Sequence, residues 1–181
     1  NDLYARSCHL KGARFAESIL KDLGAECLIG NMERLKNLPE GAFITVSNHP
    51  YGGLDGIMLI NIMTTVRPDY KLMVNRLLSM VEAMDEHFIA VRPKVGKREN
   101  DPLAGMNGIR ETLVQLQGGH PVGFFPAGAV SMIHHGNFRI RDREWQKSIL
   151  KLIRTANVPV LPIRFLDRNS RFFYILGLIN W

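Results

Sequence analysis

Cysteine is scarce in this chain. Cys8 and Cys27 are the two present in 181 residues, and no CxxC pair occurs, which excludes a disulfide framework and a thiolate metal centre of the finger or ribbon kind. Long apolar runs are missing as well. No stretch reaches the roughly 18 residues of a membrane-crossing helix, so contact with a bilayer is expected from its surface alone. Asn1 to Lys11 lacks the charged-then-apolar build of a secretion signal. With the cysteine usage, this puts the expected location on the cytoplasmic side, peripheral on the inner membrane. The chain starts without Met and stops at Trp181 directly after an apolar segment, as a trimmed piece would.

Acidic residues are outnumbered, 17 against 23 Lys and Arg, which gives a formal charge of +6. That balance suits anionic headgroups, an acidic carrier protein or nucleic acid without choosing among them. Nucleic acid is set aside because the basic residues are scattered and no recognition motif accompanies them. Repeats, low-complexity tracts and linkers are absent too. Residues 1–181 are therefore read as one domain, with 46% hydrophobic residues to build its core.

What is present gathers around residues 42–63. Ala42-Phe43-Ile44-Thr45-Val46 is short, β-branched and bounded by turn residues, and reads as a buried strand. It stops at Asn48-His49-Pro50. After Tyr51-Gly52-Gly53, Asp55 stands just before an apolar run from Gly56 to Met63 that reads as a helix, with Asp55 as its N-cap. A histidine at a strand's end and a carboxylate at the next helix's start then face each other across one loop. A carboxylate that holds one imidazole nitrogen fixes the tautomer and leaves the other free to take a proton from a hydroxyl. The alternative is that Asp55 merely caps a helix and His49 fills a turn.

The remaining chain alternates helix and strand signals. Ala13 to Leu23 is an amphipathic helix stopped by Gly24, with Phe15, Ile19, Leu20 and Leu23 on one side. Its stripe is expected on the core, with a lipid interface as the alternative. Glu26 to Ile29 reads as a short strand, so residues 1–30 form an N-terminal helix and strand, and Met32 to Gly41 connect onward. Lys71 to Val74 is a strand, Leu77 to Met84 a helix and His87 to Arg92 a strand. Asp101-Pro102 opens a long helix that ends at Gly118-Gly119. Pro121 to Phe125 is the next strand. Asp142 is expected to start a helix with Trp145, Ile149, Leu152 and Ile153 inward, and Val158 to Ile163 and Arg171 to Leu178 complete the strands. The pattern predicts an α/β fold with a largely parallel or mixed central sheet and helices on both faces. His134-His135 is read as loop, since neighbours in sequence rarely chelate one metal, and Cys27 as core. No metal and no cofactor are expected.

Four strand-end blocks, in order between residues 40 and 165, resemble the glycerolipid acyltransferase superfamily, the lysophosphatidate acyltransferase (PlsC-like) enzymes. Asn48-His49 through Asp55 is similar to the NH(x4)D block, Phe88 to Arg92 to the block ending in Arg, Phe125 to Ser131 to FPEGTRS, and Val158 to Ile163 to VPVxPV. The resemblance implies a glycerol-3-phosphate acyltransferase-like fold. It also implies transfer of a fatty acyl group from acyl-carrier protein or acyl-CoA to the hydroxyl of a lysolipid at a membrane surface. His49 and Asp55 would be catalytic, the former as general base. Asn48, Arg92, Phe125, Pro126, Gly128, Ser131, Arg139 and Arg141 would line the substrate site, with the backbone around Gly128 as oxyanion donor.

Two departures refine this. Five residues separate His49 from Asp55 where the family usually has four, a surplus Gly52-Gly53 can absorb through unusual backbone angles. That spacing resembles a bacterial branch often labelled hemolysins, which includes aminolipid O-acyltransferases. Ala127 and Val130 stand where FPEGTRS has Glu and Arg. The lysolipid is lysophosphatidate or a lyso-aminolipid; loss of that arginine argues against a glycerol phosphate and makes a lyso-aminolipid a serious acceptor, unless another cation replaces it: Arg92, Arg139 or Arg141, with Lys94, Lys97 and Arg98 as a looser set. Two other readings of the same fold are a lipid-binding protein without turnover and an acyl-thioester hydrolase.

Overall fold

In the computed structural model, which describes residues 2–75, 78, 81–91, 102–134, 136 and 138–179, five strands form one fully parallel sheet. The strands are β1 (Ile44–Ser47), β2 (Lys71–Asn75), β3 (Phe88–Val91), β4 (Val122–Phe124) and β7 (Val160–Ile163), in the order β3-β2-β4-β1-β7. Parallel neighbours need crossovers, and helices supply them on both faces. Residues of β1 and the one just before it show the division. Phe43 packs with α2 (Gly12–Asp22) and α3 (Gly53–Val66) through Phe15, Ile19, Leu59, Ile60 and Met63. Ile44 and Val46 pack the other way, with Leu116 of α4 (Pro102–Gln117) and Leu152 of α5 (Lys147–Ala156). The remaining helices are α1 (Asp2–Ser7) and α6 (Arg171–Ile179).

The chain leaves β1 through α3 towards β2, and leaves β4 through α5 on the opposite face towards β7. β1 and β4 are neighbours, so their carboxyl ends flank the switch point where open α/β sheets bind ligands.

Several expectations are corrected. Glu26 to Ile29 forms no strand: Ala25 N–H closes onto Leu20 O at the end of α2, and Leu28 is left 98% exposed with no sheet edge beside it. Cys27 is exposed rather than core, and Leu23, at the C-cap, is half exposed. The rest of the α2 stripe lies on the core, so that helix has no apolar face left for lipid. Of the helix expected over Leu77 to Met84, residues 77, 79 and 80 lie outside the described residues, and its end falls in a 3-10 stretch, Glu82–His87. Arg171 to Leu178 is α6, not a strand: Ser170 Oγ accepts the Phe173 N–H at 3.2 Å, which caps a helix and not an extended segment. A hairpin of β5 (Met132–Ile133) and β6 (Ile140–Arg141) was not legible at all. Its two-residue strands are too short to show a period.

At the sheet's amino edge, Arg67 ties three turns together. It donates to Pro39 O and Gly41 O at 2.8 Å each and to Gly119 O at 3.1 Å, and it grips Asp69 with two bonds of 3.0 and 2.7 Å. That guanidinium, then the His120 ring, holds the Asp69 carboxyl at about 2, below its ordinary 3.8, against the opposing effect of burial. The folded value is the lower one, so this stabilisation is complete above about pH 4 and disappears as pH falls through 2. With the carboxylate side chain 31% exposed, about 1 kcal/mol is expected. The difference in unfolding free energy between the native chain and Asp69→Ala, from urea titrations, should shrink by that amount from pH 5 to pH 2, and a constant difference would contradict the linkage.

Candidate active site

The carboxyl end of β1 is fixed before the histidine is reached. Asn48 Nδ2 donates to Phe165 O at 2.9 Å and its Oδ1 accepts Phe165 N–H at 2.8 Å. This pair extends the β1–β7 contact by one step beyond the ladder and occupies the amide on both sides. Asn48, expected among substrate contacts, is therefore a clamp on the strand end.

Beyond Pro50 the loop turns at Gly52 with φ 81° and ψ −124°, a conformation that L side chains avoid. A Cβ there would stand 3.2 Å from Val130 Cγ2. The extra loop residue is accommodated at this glycine, while Gly53 begins α3. Asp55 consequently sits at the third helical position and is not the N-cap. Its Oδ2 accepts Tyr51 N–H at 2.8 Å, Gly52 N–H at 3.0 Å and His49 Nδ1 at 2.9 Å, and the carboxylate is fully buried. Among the described residues its Oδ1 has no partner.

The geometry fixes the tautomer. A carboxylate oxygen can only accept, so the proton is on Nδ1 and the lone pair on Nε2. The ring stacks on Phe125, with centroids 4.0 Å apart and planes 22° apart, and keeps 17% of its side chain exposed. Its main chain is held from both sides. His49 O accepts Ser131 N–H at 2.8 Å, while His49 N–H donates to Asp142 Oδ1 at 3.3 Å. Ser131 Oγ makes a short bond to the same Asp142 oxygen. Asp142 was expected to start a helix. This tertiary bonding takes it instead, α5 begins at Lys147, and Trp145 is exposed.

The third block folds as a turn. Gly128 N–H is committed to Phe125 O at 2.9 Å, and Pro126 O accepts Gln146 N–H at 2.9 Å. Gly128 has φ 66°, and a Cβ there would overlap the Gln146 amide. Its own N–H is thus not the open donor anticipated. The N–H groups of Ala129 and Val130 have no partner among the described residues. Val130, in the place of the family arginine, lies against Gly52.

Arg92, Lys94, Lys97 and Arg98 lie outside the described residues. Arg141 pairs across the hairpin with Met132, one residue from Ser131, and its Nη2 donates to His134 Nδ1 at 3.1 Å. Arg139 is exposed on the same hairpin, where it is also engaged. Tyr51 donates its hydroxyl to Asp167. Burial first, then that carboxylate, push the phenol up to about 12, and the bond from Tyr51 holds Asp167 below its ordinary value. No three His, Cys, Asp or Glu side chains among the described residues converge as a metal site.

Matching the chain to family models gives the acyltransferase family, aligned over residues 5–180. The chain belongs to the acyltransferase family. Similar proteins include a lyso-glycine lipid O-acyltransferase of Bacteroides thetaiotaomicron, 33% identical over 169 residues, which are 92% of this chain and 57% of the relative. A lyso-glycine lipid O-acyltransferase of Phocaeicola vulgatus is 32% identical over 171 residues, or 93% and 57%. The chain thus spans a little over half the length of those relatives. Among its described residues no helix is long and apolar enough to cross a membrane.

Asp142 and Asp167 were missed as site residues. The signal available was their place: each follows a strand-end block on the carboxyl side of the sheet. Asp142→Ala removes the shared acceptor of His49 N–H and Ser131 O–H, an expected loss of about 1–3 kcal/mol that should lower the turnover expected of a family member about tenfold. Asp142→Asn keeps an acceptor oxygen and should recover most of it. Equal turnover in all three proteins would show that the His49 main chain needs no such support.

Proposed function

We propose that this chain transfers a fatty acyl group from a thioester, on acyl-carrier protein or CoA, to the hydroxyl of a lyso-aminolipid at the cytoplasmic face of the inner membrane. One observation supports the reading: the buried Asp55 carboxylate accepts the hydrogen bond of His49 Nδ1–H, which leaves Nε2 as an oriented base at the mouth of the sheet's switch point. Nε2 takes the hydroxyl proton as that oxygen attacks the thioester carbonyl. The C–O bond forms, the C–S bond breaks, and the imidazolium returns its proton to the departing thiolate. Asp55 stabilises the imidazolium while it exists. The N–H groups of Ala129 and Val130 are the donors for the oxyanion. Attack is direct, since the Ser131 hydroxyl is committed to Asp142 and Cys8 and Cys27 are on the exposed surface.

Val130 in place of an arginine removes a phosphate partner beside the base, and the two relatives act on a lyso-glycine lipid by name. Both favour a lyso-aminolipid over lysophosphatidate, with Arg141 and Arg139 of the hairpin as the nearest headgroup cations in sequence. The test is acyl transfer from labelled acyl-carrier protein to a panel of lysophosphatidate, lyso-ornithine lipid and lyso-glycine lipid. At least tenfold preference for a lyso-aminolipid is expected. Preference for lysophosphatidate defeats the acceptor assignment, and fatty acid released without any acceptor would make the chain a hydrolase.

A further inference from the structure

Helix α6 presents its apolar residues outward. Phe172, Ile175 and Leu176, at i, i+3 and i+4, are 69%, 55% and 44% exposed, while Tyr174 and Gly177 face in, the latter against Met132 of β5. A helix apolar on all sides is ordinarily buried. Leu166 (86% exposed) and Phe138 (75%) add to the feature, the latter at φ 51° on the β5–β6 turn, a left-handed angle unusual for a bulky side chain. All three elements are tied to the His49 loop. The residues on either side of Leu166 are bonded to it, Phe165 to Asn48 and Asp167 to Tyr51. β5 follows Ser131, which holds the His49 carbonyl. Exposed arginines accompany the apolar groups: Arg164, Arg168 and Arg171 stand against one acid, Asp167, in residues 164–179.

We propose that the outward face of α6, with Leu166 and the Phe138 turn, docks onto an anionic lipid bilayer. Large apolar side chains rimmed by arginine match an acyl-chain boundary under anionic headgroups. That seating would bring the elements bonded to the His49 loop against the layer that holds long-chain substrates. The inference stands on these surfaces and does not require the acyl-transfer reading.

Sedimentation of the full chain with sucrose-loaded vesicles tests it, comparing phosphatidylcholine alone with vesicles in which about a third of the lipid is phosphatidylglycerol. Binding to the anionic vesicles is expected to be at least about tenfold stronger and to weaken with salt. Phe172→Ser with Ile175→Ser, and separately Arg164→Gln with Arg168→Gln and Arg171→Gln, should each reduce it about tenfold. Unfolding midpoints should stay put, because these side chains are exposed, and turnover of a short-chain acceptor dispersed in detergent should be unchanged. No binding, or equal binding by the native chain and both variants, overturns the proposal. A dimer that the serine variant dissociates overturns it too, by assigning the face to a second copy.

Discussion

Replacing His49 by alanine is expected to lower acyl transfer by about 10³-fold, within the ~10²–10⁴ that a positioned general base contributes. The loss should fall on kcat. In the proposed mechanism the imidazole acts only when the hydroxyl proton moves, a step that follows binding. Stability should change little, by about 1 kcal/mol, since the lost ring is partly exposed and Asp55 keeps its two backbone donors. Steady-state kinetics beside a denaturant titration separate the two effects. A variant that retains a tenth of the activity, or that is inactive because it is unfolded, would remove the argument for proton abstraction at Nε2.

Asp55 carries two burdens, and its substitutions should divide them. Asp55→Ala takes away the acceptor for Tyr51 N–H, Gly52 N–H and the imidazole at once. Stranding two backbone donors costs about 2–4 kcal/mol at ~1–3 each with allowance for relaxation, and transfer should fall as far as in the histidine variant. Asp55→Asn keeps an acceptor oxygen for the loop but loses the charge that stabilises the imidazolium. Its amide NH2 falls where Oδ1 now has no partner. Stability should recover to within about 1–2 kcal/mol of the native chain, while transfer stays about 10²–10³-fold down. Were Asp55→Asn as active as the native chain, the carboxylate would serve the loop's backbone alone.

The five strands of the parallel sheet and the histidine loop are legible because each is a local signal: a short β-branched run, a proline break and a pair of glycines. Helix α4 was legible for the same reason, with proline at its first position and a double glycine after its end. What was misread depends on partners distant in sequence. An aspartate ahead of an amphipathic run reads as a cap, yet Asp142 is drawn to a main-chain N–H 93 residues earlier. Asn48 looks like part of a catalytic block, and its partner is 117 residues later. The reading of α6 failed differently: a continuous apolar run has no period to distinguish helix from strand. The local signal that settles it is the Asn169-Ser170 cap ahead of the run. The departure at Val130 was visible, but its consequence, a side chain packed on Gly52, needed the third dimension.

The Asn48–Phe165 bond pair also has a temporal meaning. A chain growing from its amino end has emerged through β1, α3 and β4 long before Phe165 appears, so the base and its carboxylate precede the residue that anchors their strand end. Chains released ahead of Phe165 would contain His49 and Asp55 without that anchor. Competence for the proposed transfer should therefore arise only once Phe165 has been made and has paired with Asn48.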